Sequence, residues 1–168
     1  MIFTAHADGT VTWNQHSVRA ALGKGGVITE CNKREGDGKS PLGVYPFRYV
    51  FYRPDRVSAP DTALPVVPMA PDDGWCDDAQ SPDYNRHVKL PFGASHEKLW
   101  RDDHVYDLVV VLGHNDDPPV AGMGSAIFMH LARDNYAGTE GCVALAPTDL
   151  LELLKAAQPG DRVEIRLV

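Results

Sequence analysis

The chain is poor in cysteine, with three in 168 residues, at Cys31, Cys76 and Cys142. An odd and widely spaced set makes no disulfide framework and no Cys-x-x-Cys metal site. Free thiols persist in a reducing compartment, so at least one is open to chemistry. Positive charge is also short. Sixteen Lys and Arg against 23 Asp and Glu give a net charge of −7, which argues against nucleic acid or an anionic membrane as partner. Long apolar runs are missing; the longest, around Leu108–Leu112, is strand-sized. The opening "MIFTAHADGTVTWNQHS" has neither a basic n-region nor an apolar h-region, so the expected location is the cytoplasm. No His-Glu-x-x-His and no His/Cys pair at ligand spacing occurs, and neither a metal nor another cofactor is expected. "GDGKSPLG" lacks the frame of a phosphate loop and has no helix after it.

What is present is ordinary globular material, 43% hydrophobic and long enough for one domain over residues 1–168. Residues 2–50 read as short strands: "GTVTW" alternates, "GGVIT" follows a glycine pair, and "GVYPFRYVFY" is aromatic and β-branched. "KREGDGKSPLG" between them reads as a loop. Residues 53–103 are crowded with Pro and Asp, which block long helices and central strands. Trp75, Tyr84 and Phe92 would be wasted in a disordered linker, so this stretch reads as an ordered excursion over the sheet. "VYDLVVVLGHN" and "GSAIFMHLA" read as buried strands. "LAPTDLLELLKAAQ" reads as a helix, with Pro147 in its first turn and a stripe of Leu150, Leu153, Leu154 and Ala157. "DRVEIRLV" closes as a strand with Val163, Ile165 and Leu167 on one face. The sum is a mainly β domain with few helices.

Chemistry concentrates in "MHLARDNYAGTEGCVAL", residues 129–145. A buried free cysteine is common, and Cys142 alone reads that way. His130 changes the weighing. It ends an apolar strand twelve positions before Cys142, and a turn over "ARDNYAGTE" returns the chain beside it. Imidazole next to thiol is the usual means of activating sulfur. Gly141 lets the backbone bend, and the N–H groups of Gly141 and Cys142 are candidate oxyanion donors. An activated thiol would be alkylated ahead of Cys31 and Cys76. His114 and Asn115, past a buried strand, read equally as cleft residues that hold substrate and as a capped turn. Arg86 or Arg133 could clamp a substrate carboxylate, although either alone reads more simply as a solvated charge. Cys76 reads as a packed thiol under Trp75.

These residues resemble the YkuD-type L,D-transpeptidase catalytic domain. That family carries a histidine, a short spacer, then Ser/Thr-x-Gly-Cys and a hydrophobic residue; His130 and Thr139, Glu140, Gly141, Cys142 and Val143 match. Its upstream Lys-x-Thr-Pro-x-Gly-x-Tyr/Phe element is matched by Lys39 to Tyr45, without the intervening residue and with Ser40 for threonine. The resemblance covers residues 23–50 and 104–168 and leaves the excursion unexplained. Ala144 departs from it, standing where the family often has arginine.

The resemblance implies a β-sandwich or barrel fold and a peptidoglycan tetrapeptide or muropeptide as partner. It implies Cys142 as nucleophile, His130 as base and then acid, and Thr139 as a local support, with a backbone carbonyl orienting the imidazole. The thiolate would attack the L-centre carbonyl of a diamino acid, and terminal D-alanine would leave. The Thr-Glu-Gly-Cys-Val-Ala wording resembles the compact branch that acts as cytoplasmic L,D-carboxypeptidases in wall recycling. The alternatives are a cross-linking L,D-transpeptidase and a non-catalytic muropeptide-binding domain. Nothing in the pattern sets an oligomeric state.

Overall fold

The computed structural model describes residues 1–168. Its strands are β1 (Ile2–His6), β2 (Thr10–Trp13), β3 (His16–Ala21), β4 (Val27–Thr29), β5 (Ser40–Tyr52), β6 (Val66–Pro68) and β7 (Asp73–Cys76). They continue with β8 (His87–Lys89), β9 (His96–Lys98), β10 (Leu108–Leu112), β11 (Phe128–Leu131), β12 (Val143–Leu145) and β13 (Arg162–Arg166). One α-helix, α1 (Pro147–Ala156), joins them. The chain is mainly β with few helices, as its composition of short β-branched runs implies.

The main sheet closes on itself in the order β10-β11-β12-β3-β2-β1-β13-β5, with β5 returning to β10. Closure depends on the length of β5. Its first half, Gly43 to Pro46, pairs with β13, and its second half, Phe47 to Tyr52, pairs with β10. A register shift between Val111 and Leu112 marks the bend. "SPLG", expected in a loop, is therefore the start of β5: Ser40, Pro41 and Leu42 pair in parallel with β4. Pro41 is tolerated because this end lies at the margin of the sheet.

Alternation sorts the side chains of β10 and β11. Leu108, Val110, Leu112, Met129 and Leu131 point into the barrel core with Phe3, Val11 and Val163. Leu150, Leu153, Leu154 and Ala157 bring the apolar stripe of α1 into the same core, with Pro147 at its start as the sequence implies. Val109, Val111 and Phe128 point the other way, into a second core with Phe51, Trp75, Leu99 and Tyr106. A strand buried on both faces reads as an unbroken apolar run, which is why "LVVVL" shows no alternation. Val163 and Ile165 are buried in β13, whereas Leu167 is exposed, because β13 stops at Arg166.

The second core owes its cover to the excursion. There β7 lies between β8 and β9 in a small antiparallel sheet. Proline was expected to rule out a central strand, but Asp73–Cys76 contains none and is flanked on both sides. Trp75 and Tyr84 are buried and Phe92 is half-buried. Cys76 is fully buried, as expected of a packed thiol.

Candidate active site

Parallel pairing of β11 with β12 sets His130 opposite Ala144 and Met129 opposite Val143. Carried one residue back, that register brings Cys142 beside Phe128, and the Phe128 N–H points at Cys142 Sγ at 3.4 Å. Paired residues of parallel strands share a face, so Cys142 and His130 lie diagonally on the face covered by the excursion. Both line one cavity of about 290 Å³. A wider groove between residues 57–61 and α1 is lined by neither cysteine nor histidine.

The turn before Cys142 is held from several directions. Thr139 exchanges backbone hydrogen bonds with Leu22 and Lys24. Its hydroxyl donates to the Cys142 carbonyl (2.6 Å) and accepts the Gly141 N–H (3.1 Å). Ser40 Oγ donates to the Gly141 carbonyl (2.8 Å) and accepts from Gly23 N (2.9 Å). Gly141 has φ +137°, and a Cβ there would stand 2.8 Å from the Lys39 carbonyl, so glycine is required. The expectation for its N–H needs correction: it is committed to Thr139 and does not face a developing oxyanion. The Cys142 N–H has no acceptor within the chain and is the donor that remains.

His130 is buried, and its Nδ1 lies 2.9 Å from the Leu131 carbonyl. A carbonyl only accepts, so Nδ1 carries the proton and Nε2 is left as a base. The backbone carbonyl expected to orient the imidazole is thus that of Leu131, on β11 itself. Burial pulls the imidazole down to about 4, with the Leu131 carbonyl opposing and the guanidiniums of Arg133 and Arg101 assisting. Burial pushes the Cys142 thiol up to about 12, the Glu97 carboxylate adds to this, and the Phe128 N–H opposes it. The resting pair is therefore a neutral thiol and a neutral imidazole, and Cys142 Sγ donates to the Ala126 carbonyl at 3.2 Å.

This reverses the expected order of alkylation. Cys31 is exposed, whereas Cys142 is buried and protonated. Iodoacetamide on the resting protein should label Cys31 first. Labelling of Cys142 should accelerate about tenfold per pH unit through the neutral and mildly alkaline range, following its thiolate fraction. Peptide mass spectrometry of a labelling time course measures both; a plateau for Cys142 near neutrality would contradict the neutral pair.

The cavity walls include residues that the sequence did not single out. Tyr106 packs edge-on against the His130 ring, centroids 5.3 Å apart, and donates its hydroxyl to Glu97 Oε1. Burial raises the Glu97 carboxyl, with the tyrosine hydroxyl opposing. Arg101 forms a two-point pair with Asp103. Arg133 lies on the cavity, and its nearest carboxylate, Asp103, is 4.0 Å away. The other residues expected to bind substrate lie elsewhere. Arg86 lines a separate cavity of about 480 Å³ with Tyr49 and Trp75. His114 is buried edge-on to Tyr45, its Nδ1 has no partner, and burial lowers it to about 4. Asn115 closes a turn, donating to the Val120 and Gly124 carbonyls and accepting from Val120 N. His114 and Asn115 line a third cavity, so the capped-turn reading is the one their geometry matches.

None of the curated proteins matches the chain by sequence. Among solved structures, L,D-transpeptidase 1 of Mycobacterium tuberculosis aligns over 99% of this chain and 61% of its own, at 14% identity and a TM-score of 0.42. An L,D-transpeptidase from Mycobacterium smegmatis aligns over 98% and 58%, at 13% identity and 0.44. The chain thus spans about three fifths of the length of these structures. A family model matches residues 2–165, running through the excursion as well as the segments on either side of it. The chain belongs to the YkuD family, the L,D-transpeptidase catalytic domain.

Proposed function

We propose that the protein is a cysteine acyl-transfer enzyme acting on the L,D-peptide bond of peptidoglycan tetrapeptides, and that it works as an L,D-carboxypeptidase. The observation that carries this reading is the placement of Cys142 and His130 on one sheet face along one cavity, with the His130 Nδ1 proton held by the Leu131 carbonyl so that Nε2 is the free base. In this scheme Nε2 takes the thiol proton as Sγ bonds to the carbonyl carbon of the third residue. The carbonyl electrons move onto oxygen, opposite the Cys142 N–H. The C–N bond then breaks, and the imidazolium returns its proton to the nitrogen of D-alanine. Water, deprotonated by the same ring, cleaves the thioester and restores the thiol. The balance is tetrapeptide plus water to tripeptide plus D-alanine.

Two features favour water over a second stem as the acceptor. The cavity lies at the lower end of ordinary ligand sites, which run from about 300 to 1,000 Å³. Ala144 is buried in the sheet, where the family often offers an arginine that could hold substrate. Arg133 and the carboxyls of Glu35, Asp77 and Glu140 on the cavity wall suit a peptide end that carries both charges. The cysteines, all unpaired and one of them exposed, fit a cytoplasmic, reducing setting.

The test is incubation with a purified disaccharide-tetrapeptide, with and without an acceptor stem, read by mass spectrometry. Loss of one D-alanine to give tripeptide alone supports the carboxypeptidase. Joined stems would assign cross-linking instead. Binding without turnover would leave a muropeptide-binding domain.

A further inference from the structure

We propose that Asn85, supplied by the excursion, is a positioning residue that sets the Cys142 thiol through the backbone of Ala126; the catalytic meaning of this rests on the acyl-transfer reading above. Asn85 is buried and its amide is used in full. Oδ1 accepts from Trp75 Nε1 and from Ala126 N, each at 3.0 Å. Nδ2 donates to the carbonyls of His114 (3.0 Å) and Asn115 (2.7 Å). Two donors and two acceptors are all that a carboxamide offers. The four partners lie on β7, just past β10 and just before β11, so one side chain ties the excursion to both strands at the site.

Ala126 has φ +55°, a left-handed conformation that is unfavourable for an alanine and persists only where its surroundings enforce it. The Asn85 bond to its N–H is that enforcement. The carbonyl of the same residue receives the Cys142 thiol. Two residues on, the Phe128 N–H meets the sulfur from the other side. If Ala126 relaxed to negative φ, its carbonyl would swing away and the thiol would lose one of these two guides. Asn85 itself has φ +55°, which asparagine tolerates better than most residues. Asn85 lines the neighbouring cavity with Trp75 and Arg86, outside the one that holds Cys142 and His130. Its influence on the reaction therefore passes through Ala126.

The variant that tests this is Asn85→Gly, which keeps the backbone conformation free of strain and deletes the amide. Two readouts are taken after circular dichroism has established folding. In tetrapeptide turnover, kcat should fall about ten- to hundredfold with KM within about twofold, as expected when a reacting atom is displaced without loss of a substrate contact. In a Cys31→Ser background, Cys142 alkylation at fixed alkaline pH should speed up several-fold, because the thiol loses the carbonyl that holds its proton. Adding Ala126→Gly should partly undo the change in alkylation, since glycine adopts φ +55° without enforcement. An unchanged alkylation rate in Asn85→Gly, or strictly additive effects with Ala126→Gly, would overturn the proposal. A loss of turnover carried wholly by KM would also overturn it. The alkylation readout needs no muropeptide, so a wild type that turns nothing over would sink the acyl-transfer reading while this test still gives its answer. If Asn85→Gly fails to fold, Asn85→Ser, whose shorter side chain withdraws the acceptor from the Ala126 N–H, is judged by the same criteria.

Discussion

Replacing Cys142 with alanine should lower kcat/KM for D-alanine release by at least about 10³-fold and leave the fold standing. The loss is large because the sulfur forms the bond that divides the reaction into two steps, and no second thiol lines the cavity. Ser125 is on the wall, but its hydroxyl donates to Glu35 Oε1 at 2.5 Å. The cost to stability should be modest. Only one heavy atom is removed, and both of its backbone contacts belong to a segment that Asn85 and Tyr84 also hold. The measurement is intact-mass spectrometry after mixing with tetrapeptide. Wild type should show a transient thioester adduct equal to the stem less D-alanine, and the alanine variant should show none. An adduct on the variant would move the nucleophile elsewhere.

Why Cys142 and His130 were legible in the sequence follows from their positions. His130 lies in β11 and Cys142 stands just before β12, both strands are short and apolar, and a glycine-containing turn between them suffices to return one strand beside the other. Period-two alternation then fixes the shared face once the strands are paired. The Pro147 helix start and the buried leucine stripe of α1 were legible for a similar reason, because each depends on contacts one turn apart. Asn85, Glu97 and Tyr106 were not. They reach the site through pairings such as Tyr84 with Glu35 and Asn85 with Ala126, which are remote in sequence. The strands that carry the excursion are three or four residues long and bounded by Pro and Asp, too short for periodicity to declare a face. The Gly141 N–H was misread because only the coordinated turn reveals that the Thr139 hydroxyl reaches back to it. His114 and Asn115 show the complementary case: the same polar residues at a strand end serve a cleft or a turn, and only the surrounding carbonyls decide.

Changing His130 to glutamine should reduce kcat/KM by about 10²- to 10⁴-fold, the range for loss of a positioned general base. The pH dependence gives this prediction its second edge. The ring is held near 4, so in wild type it is neutral throughout the physiological range and the rate should fall only as pH drops through about 4. In the glutamine variant that limb should disappear from the residual rate. The same ring also affects stability. Free histidine titrates at 6.5, while His130 and His114 both stay neutral in the folded protein down to about 4. Between these values the unfolded chain binds two protons that the native chain refuses. Their contribution to stability is complete above 6.5 and is lost as pH falls through 4. Each histidine contributes a slope of about 1.4 kcal/mol per pH unit across that window. Chemical denaturation at several pH values should show His130→Gln removing one such slope and leaving the other. A variant that retains more than a tenth of wild-type turnover would remove His130 from the reaction. A variant with unaltered pH dependence of stability would show instead that the ring is not buried as a neutral base, and the mechanism would then need an ion pair in place of the neutral thiol and imidazole.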